Sequence, residues 1–141
     1  VLAVGLADPT RRVWQAGEVT DQHAPQSLDV IVPAWLSIPQ VAELLGISPN
    51  AVRQLVREGR LVAIRHEGVR EPQIPADFLL GGEPVKGLAG TLTVLADSGF
   101  GPEETVRWLF TEDDTLPGSP IQALRESRGT EVRRRAQALA F

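Results

Sequence analysis

The sequence predicts a mainly α fold with a small β wing, built as two units in succession. Three observations carry this. Residues 36–64, LSIPQVAELLGISPNAVRQLVREGRLVAI, contain two helix starts and two helix stops at close spacing, followed by a short apolar run. A second apolar pattern at helical spacing begins at Leu88 and recurs to the end of the chain. Between them lie proline- and glycine-rich turns suited to a hairpin and a connector.

The first helix begins at Ser37, a cap residue, and Gln40 three positions on can complete a capping box. Pro39 is tolerable only in a first turn, which fixes that start. Val41, Leu44 and Leu45 give one apolar face, Gly46 ends the helix in a left-handed conformation, and Ile47 is expected to plug the turn. Ser48-Pro49 restarts a helix with a cap and a proline. Its inner residues are Val52, Leu55 and Val56, and Gly59 stops it. Asn50, Arg53, Gln54 and Arg57 remain outward, and these side-chain types hydrogen-bond base edges and phosphates. A merely solvated helix face would carry similar residues. The order of caps, turn and wing favours DNA.

Leu61-Val62-Ala63-Ile64-Arg65 reads as a first wing strand, His66-Glu67-Gly68 as its turn, and Val69-Arg70 with Gln73-Ile74-Pro75 as the return. Pro72 marks the return as an edge or a bulge. Helix, turn, helix and wing together resemble the excisionase-like and MerR-like branch of the winged helix-turn-helix families. The resemblance implies that the second helix enters the major groove. Arg60, Arg65 and Arg70 would then lie on the backbone or in the flanking minor groove.

Residues 1–30 lack sustained periodicity and read as a flexible tail, with Thr10 beside Arg11-Arg12 and Thr20 between Glu18 and Asp21 as exposed hydroxyls. Residues 31–82 form the winged unit and 83–141 the helical unit. Trp35 is expected to staple the first helix from before its cap. After the wing, residues 75–80 suggest a short helix stopped by Gly81-Gly82, then a connector. Further helices are expected from Leu88 to Gly99, from Pro102 through Val106, Leu109 and Phe110, from Ser119-Pro120 through Ile121 and Leu124, and from Thr130 through Val132, Ala136 and Leu139. This small unit is expected to pack on the winged unit or on a copy of itself, the latter giving a homodimer.

The segments VKGLAGTLTVLADSGF, RWLFTEDDTLPG and PIQALRESRGTEVRRRAQALAF complete a second resemblance, over roughly residues 35–141. The chain resembles a family of small actinobacterial DNA-binding proteins in which a winged helix-turn-helix precedes a helical domain. Thirteen arginines to one lysine fit such a high-GC source. The family's association with serine/threonine kinases implies a kinase partner acting on the tail, with Thr10 or Thr20 as acceptor. Residues 121–132 also resemble the toxin-binding domains of some antitoxins. That keeps a protein-interaction module, antitoxin-like or adaptor, as the alternative.

Charge agrees with selective DNA binding. The 141 residues carry a net charge of −4, against indiscriminate polyanion binding. Yet residues 48–66 hold four arginines against Glu58, while residues 97–114 hold six acids against Arg107. Arg133-Arg134-Arg135 is either a second phosphate-contacting patch or a favourable placement of cations near a helix C-terminus.

Other chemistries are disfavoured. With no cysteine and only His23 and His66, neither disulfides nor a thiolate or histidine metal site is expected, and no cofactor. Glu112-Asp113-Asp114 lacks the spacing of a calcium loop and reads as solvated. Glu103-Glu104 are adjacent and diverge, Lys86-Gly87 lacks phosphate-loop spacing, and no nucleophile–base arrangement is recognisable, so an enzyme is not expected. No apolar run reaches membrane-spanning length and the N-terminus makes a poor signal peptide, so a cytoplasmic, nucleoid-associated location is expected.

Overall fold

The structure, a computed structural model, describes residues 27–65, 69–116 and 118–139. A single turn of helix, α1 (Leu28–Ile31), comes first, with the Ser27 hydroxyl accepting from the Asp29 N–H. Leu28 is buried and α1 packs on a helix of the C-terminal unit. This corrects the tail expectation at its end, because an apolar side chain with a place in the core orders residues 28–30. The rest of the expected tail, with Thr10 and Thr20, lies outside the described residues.

Strand β1 (Trp35–Ser37) leads into α2 (Ile38–Leu45). Trp35 sits in this strand, half-buried against the core. The capping box forms in both directions: Ser37 Oγ accepts from the Gln40 N–H at 3.2 Å, and Gln40 Oε1 accepts from the Ser37 N–H at 2.8 Å. Gly46 takes φ 71°, and the Ile47 N–H reaches back to the Ala42 carbonyl at 3.0 Å, closing a Schellman motif. Helix α3 (Pro49–Arg57) starts under the Ser48 hydroxyl, which accepts from the Ala51 N–H. It ends in the same motif, with Gly59 at φ 76° and the Arg60 N–H bonded to the Leu55 carbonyl. Two side chains depart from expectation. Leu44 is 54% and Ile47 38% exposed. The inner stripe of α2 starts at Ile38 and continues through Val41 and Ala42, so Leu44 falls off its edge, and Ile47 stays at the surface of the turn.

The wing differs more. Residues 61–65 form no strand; within them only Ile64 pairs, exchanging both hydrogen bonds with Gln73 at 2.7 and 2.8 Å. The return strand β2 (Gln73–Pro75) instead runs antiparallel to β1, with Trp35 opposite Pro75, Leu36 opposite Ile74 and Ser37 opposite Gln73. Proline explains the outcome. Successive residues of an antiparallel strand present their polar groups to opposite sides. Ile74 and Ala76 face β1, where the Ala76 N–H meets the Ala34 carbonyl at 2.9 Å. Gln73 and Pro75 face residues 61–65. Pro75 has no N–H to give, so that ladder ends at Ile64. The expected turn at residues 66–68 lies outside the described residues.

The short helix expected over 75–80 is only a 3₁₀ turn, Ala76–Phe78. It is followed by a hairpin of β3 (Leu79–Leu80) and β4 (Glu83–Pro84). Gly81 and Gly82 have φ 64° and 80°, the two positive values that a tight hairpin turn requires. The expected division between residues 82 and 83 thus falls inside a hairpin.

Among the described residues four helices follow: α4 (Leu88–Asp97), α5 (Pro102–Phe110), α6 (Pro120–Arg125) and α7 (Gly129–Ala138). Their expected inner residues, Leu95, Val106, Leu109, Ile121, Leu124, Val132 and Ala136 among them, are buried. Leu139 is not; it lies past the last turn of α7 and is 43% exposed. α4 packs on α7 and α5 on α6 and α1. Gly87 starts α4 at φ 88°, a left-handed conformation that favours glycine, and a Cβ there would meet Leu124 Cδ2 at a tight 3.2 Å. The two units share one core. The Phe78 and Phe110 rings lie 5.9 Å apart, and Arg125 Nη1 donates to the carbonyls of Asp77 and Leu79 at 2.9 and 2.7 Å.

Leu61 is 1% exposed where α3 gives way to the wing segment. Leu61→Ala should cost about 2–5 kcal/mol of unfolding free energy, the usual range for a leucine cavity. Because the core is shared, denaturant unfolding should stay a single transition by both far-ultraviolet dichroism and tryptophan fluorescence.

Candidate nucleic-acid interface

Asn50, Arg53, Gln54 and Arg57 are spaced i, i+3, i+4 and i+7 along α3, so they occupy one face. All four are exposed. They are ordered by one another. Arg53 Nη1 donates to Asn50 Oδ1 at 3.0 Å. Arg57 donates from Nε and Nη2 to Gln54 Oε1 at 3.2 and 2.6 Å, and Gln54 Nε2 donates to Glu58 Oε2 at 3.0 Å. The arginines are thus held by neutral amide oxygens, which orient a guanidinium without cancelling its charge. Such exposed bonds contribute little net stability and exchange readily for a ligand's acceptors.

The wing brings further cations to this face. Arg53 and Arg57 from α3, and Arg65 and Arg70 from the two limbs of the wing, line one groove of about 360 Å³. It is also lined by the apolar residues Ile38, Val56, Ala63 and Pro72, and Glu71 is its one acid among the described residues. Arg65 Nη1 donates to the Arg70 carbonyl across the wing. Arg60 is exposed just after the Gly59 stop and does not line the groove. Sequence reasoning passed over Glu71, although its place next to Arg70 was a signal that the wing is not uniformly basic. Thr10 and Thr20 lie outside the described residues.

The C-terminal unit presents a different surface. In the acidic loop, Asp113 Oδ1 accepts from the Thr115 N–H at 2.8 Å and from the Thr115 hydroxyl at 2.6 Å. Arg135 donates from Nε to that hydroxyl at 2.8 Å and from Nη2 to the Thr115 carbonyl at 2.9 Å. Asp113 is therefore part of a hydrogen-bonded turn latched to α7, and Arg135 is engaged there. Arg133 and Arg134 are exposed on the same helix, with the Arg133 guanidinium lying against Gly90 of α4. Ile121, Leu124 and Val132, the apolar residues of the segment resembling antitoxin domains, are buried in the chain's own core. No helix among the described residues is long and apolar enough to cross a membrane.

The comparisons with known proteins cover both units. Residues 23–79 match the family described as "DNA-binding protein Rv2175c, wHTH domain", and residues 85–140 match "Rv2175c C-terminal domain of unknown function". The chain is 42% identical over 132 residues to the DNA-binding protein Rv2175c of Mycobacterium tuberculosis (strain ATCC 25618 / H37Rv), covering 83% of this chain and 89% of that protein. The fold is similar to the NMR structure of Rv2175c, with a TM-score of 0.70 at 40% identity over 77% of this chain and 82% of the other.

The Thr115 hydroxyl and amide, aided by Arg135, hold the Asp113 carboxyl below its ordinary value. A depressed carboxylate stabilises the fold fully above its unfolded value, about pH 4, and that contribution is lost as pH falls through the lowered value. Asp113→Asn should therefore melt below the parent at neutral pH, and the two thermal midpoints should converge on acidification. Curves that stay parallel down to about pH 2 would rule out the latch.

Proposed function

The chain belongs to the Rv2175c family of winged helix-turn-helix proteins, and on that premise we propose that it binds double-stranded DNA as a transcriptional regulator or chromosome-associated factor. The observation that carries the reading is the groove in which, among the described residues, α3 and the wing together present four arginines against one acid. On this reading α3 lies in the major groove, where Asn50, Arg53, Gln54 and Arg57 reach base edges. Arg70 and Arg60 meet phosphates on either side, adding affinity and register without base specificity. The relative's name describes a DNA-binding protein, and this chain carries the same two units in the same order. A net charge of −4 keeps the rest of the surface from competing for the polyanion.

The test is a fluorescence anisotropy titration with duplex DNA. Arg53→Ala/Arg57→Ala should weaken binding by at least tenfold, since one bidentate arginine–guanine contact is worth about 1–3 kcal/mol. The thermal midpoint should stay close to that of the parent, because both side chains are exposed and, among the described residues, bonded within their own helix. Parent-like affinity in the double variant would remove α3 as the reading element.

Regulation is the second part of the proposal. Thr10 and Thr20 flank a stretch holding Arg11, Arg12 and Glu18, and a serine/threonine kinase would add about −1.5 to −2 charges at either. That charge would repel DNA or occupy the arginine groove. Kinase treatment, site mapping by mass spectrometry and retitration should give a phosphorylated tail and weaker DNA binding. Modification confined to residues 31–141, or a phosphorylated tail with unchanged affinity, would sink the switch.

A further inference from the structure

Arg65 stands apart from the other groove arginines. On one side it lines the groove with Arg53, Arg57 and Arg70. On the other it lines a polar cleft of about 260 Å³ with Asp29 at α1 and with Glu103 and Arg107 on α5. Among the described residues that cleft carries two carboxylates for its two guanidiniums, where the groove carries one for four. Arg65 also follows Ile64 directly, and the paired bonds between Ile64 and Gln73 close the base of the wing. Its Nη1 donates to the main-chain carbonyl of Arg70 on the opposite limb. A guanidinium that donates to a main-chain carbonyl on the opposite limb ties the two limbs together.

We infer that Arg65 is a positioning residue, a strut that holds the wing limb bearing Arg70, and not itself a phosphate contact. The inference rests on the DNA-binding reading above and assigns a division of labour within it. Arg70 supplies charge to the duplex. Arg65 supplies the geometry.

The experiment compares Arg65→Gln and Arg70→Gln in the full chain by two measurements. The first is DNA affinity across a salt series. The second is amide hydrogen exchange at Gln73 without DNA, followed by NMR. Losing a phosphate contact lowers the slope of log affinity against log salt by about 0.9. Arg70→Gln should show that loss and leave exchange at Gln73 unchanged. Arg65→Gln should keep the parent slope, weaken affinity roughly three- to tenfold, and speed exchange at Gln73 by a similar factor, the range expected for one hydrogen bond. A slope lowered by about 0.9 in Arg65→Gln overturns the inference, as does unchanged affinity or unchanged exchange at Gln73. Should the parent show no salt-dependent binding, the DNA reading fails by itself, and the exchange measurement alone decides whether Arg65 braces the wing.

Discussion

The three residues of β2 fix the position of everything that surrounds the groove. Ile74 is paired to β1, which leads into α2, and Gln73 is paired to Ile64, which follows α3. One short strand therefore clasps the chain before the helix-turn-helix to the chain after it. Ile74 is fully buried, so the clasp is anchored in the core as well as by its hydrogen bonds. A register slip of one residue would turn Ile74 outward and Gln73 inward. Burial on one face and proline at the other end leave a single register open.

From that clasp the electrostatics follow. The arginines of α3 are separated in sequence from those of the wing by the Gly59 stop and the buried Leu61. Folding brings them to a common groove, where among the described residues the bonds of Arg53, Arg57 and Arg65 go to amide and main-chain oxygens. The charge is oriented without being neutralised. An acidic chain can in this way carry one strongly positive surface, which focuses attraction for a polyanion onto one face.

The helical unit contributes through the core. Phe110 lies against Phe78, Arg125 caps carbonyls in the segment after β2, and α1 bridges back to α5. An apolar groove between Val56, Val62 and Ala63 on one side and Leu92, Ala96 and Phe100 on the other marks where the two units meet. A winged unit of this size buries a limited area by itself. Sharing the core lets residues 58–63, which have little regular structure, hold a defined course.

The elements whose signals are local were legible in the sequence. Ser37 with Gln40, Gly46, Ser48-Pro49 and Gly59 each act within one helical turn, so the bounds and polar face of α2 and α3 could be read directly. Helical periodicity likewise placed α4 to α7 and most of their buried residues. What the sequence could not decide were choices among non-local partners. The run at 61–65 looked like a strand, but the donor that β2 lacked at Pro75 and the competing claim of β1 left it one bridge. Gly81-Gly82 looked like a helix stop, yet both glycines turn a hairpin because Val85 pairs back to Phe78 in the core. Leu28 looked like part of a tail until α5 offered it a place to be buried. Local chemistry sets where a helix starts, where it stops and which face is charged. Only the tertiary structure decides which strand finds which partner, because that depends on hydrogen-bond donors and apolar surface supplied from distant parts of the chain.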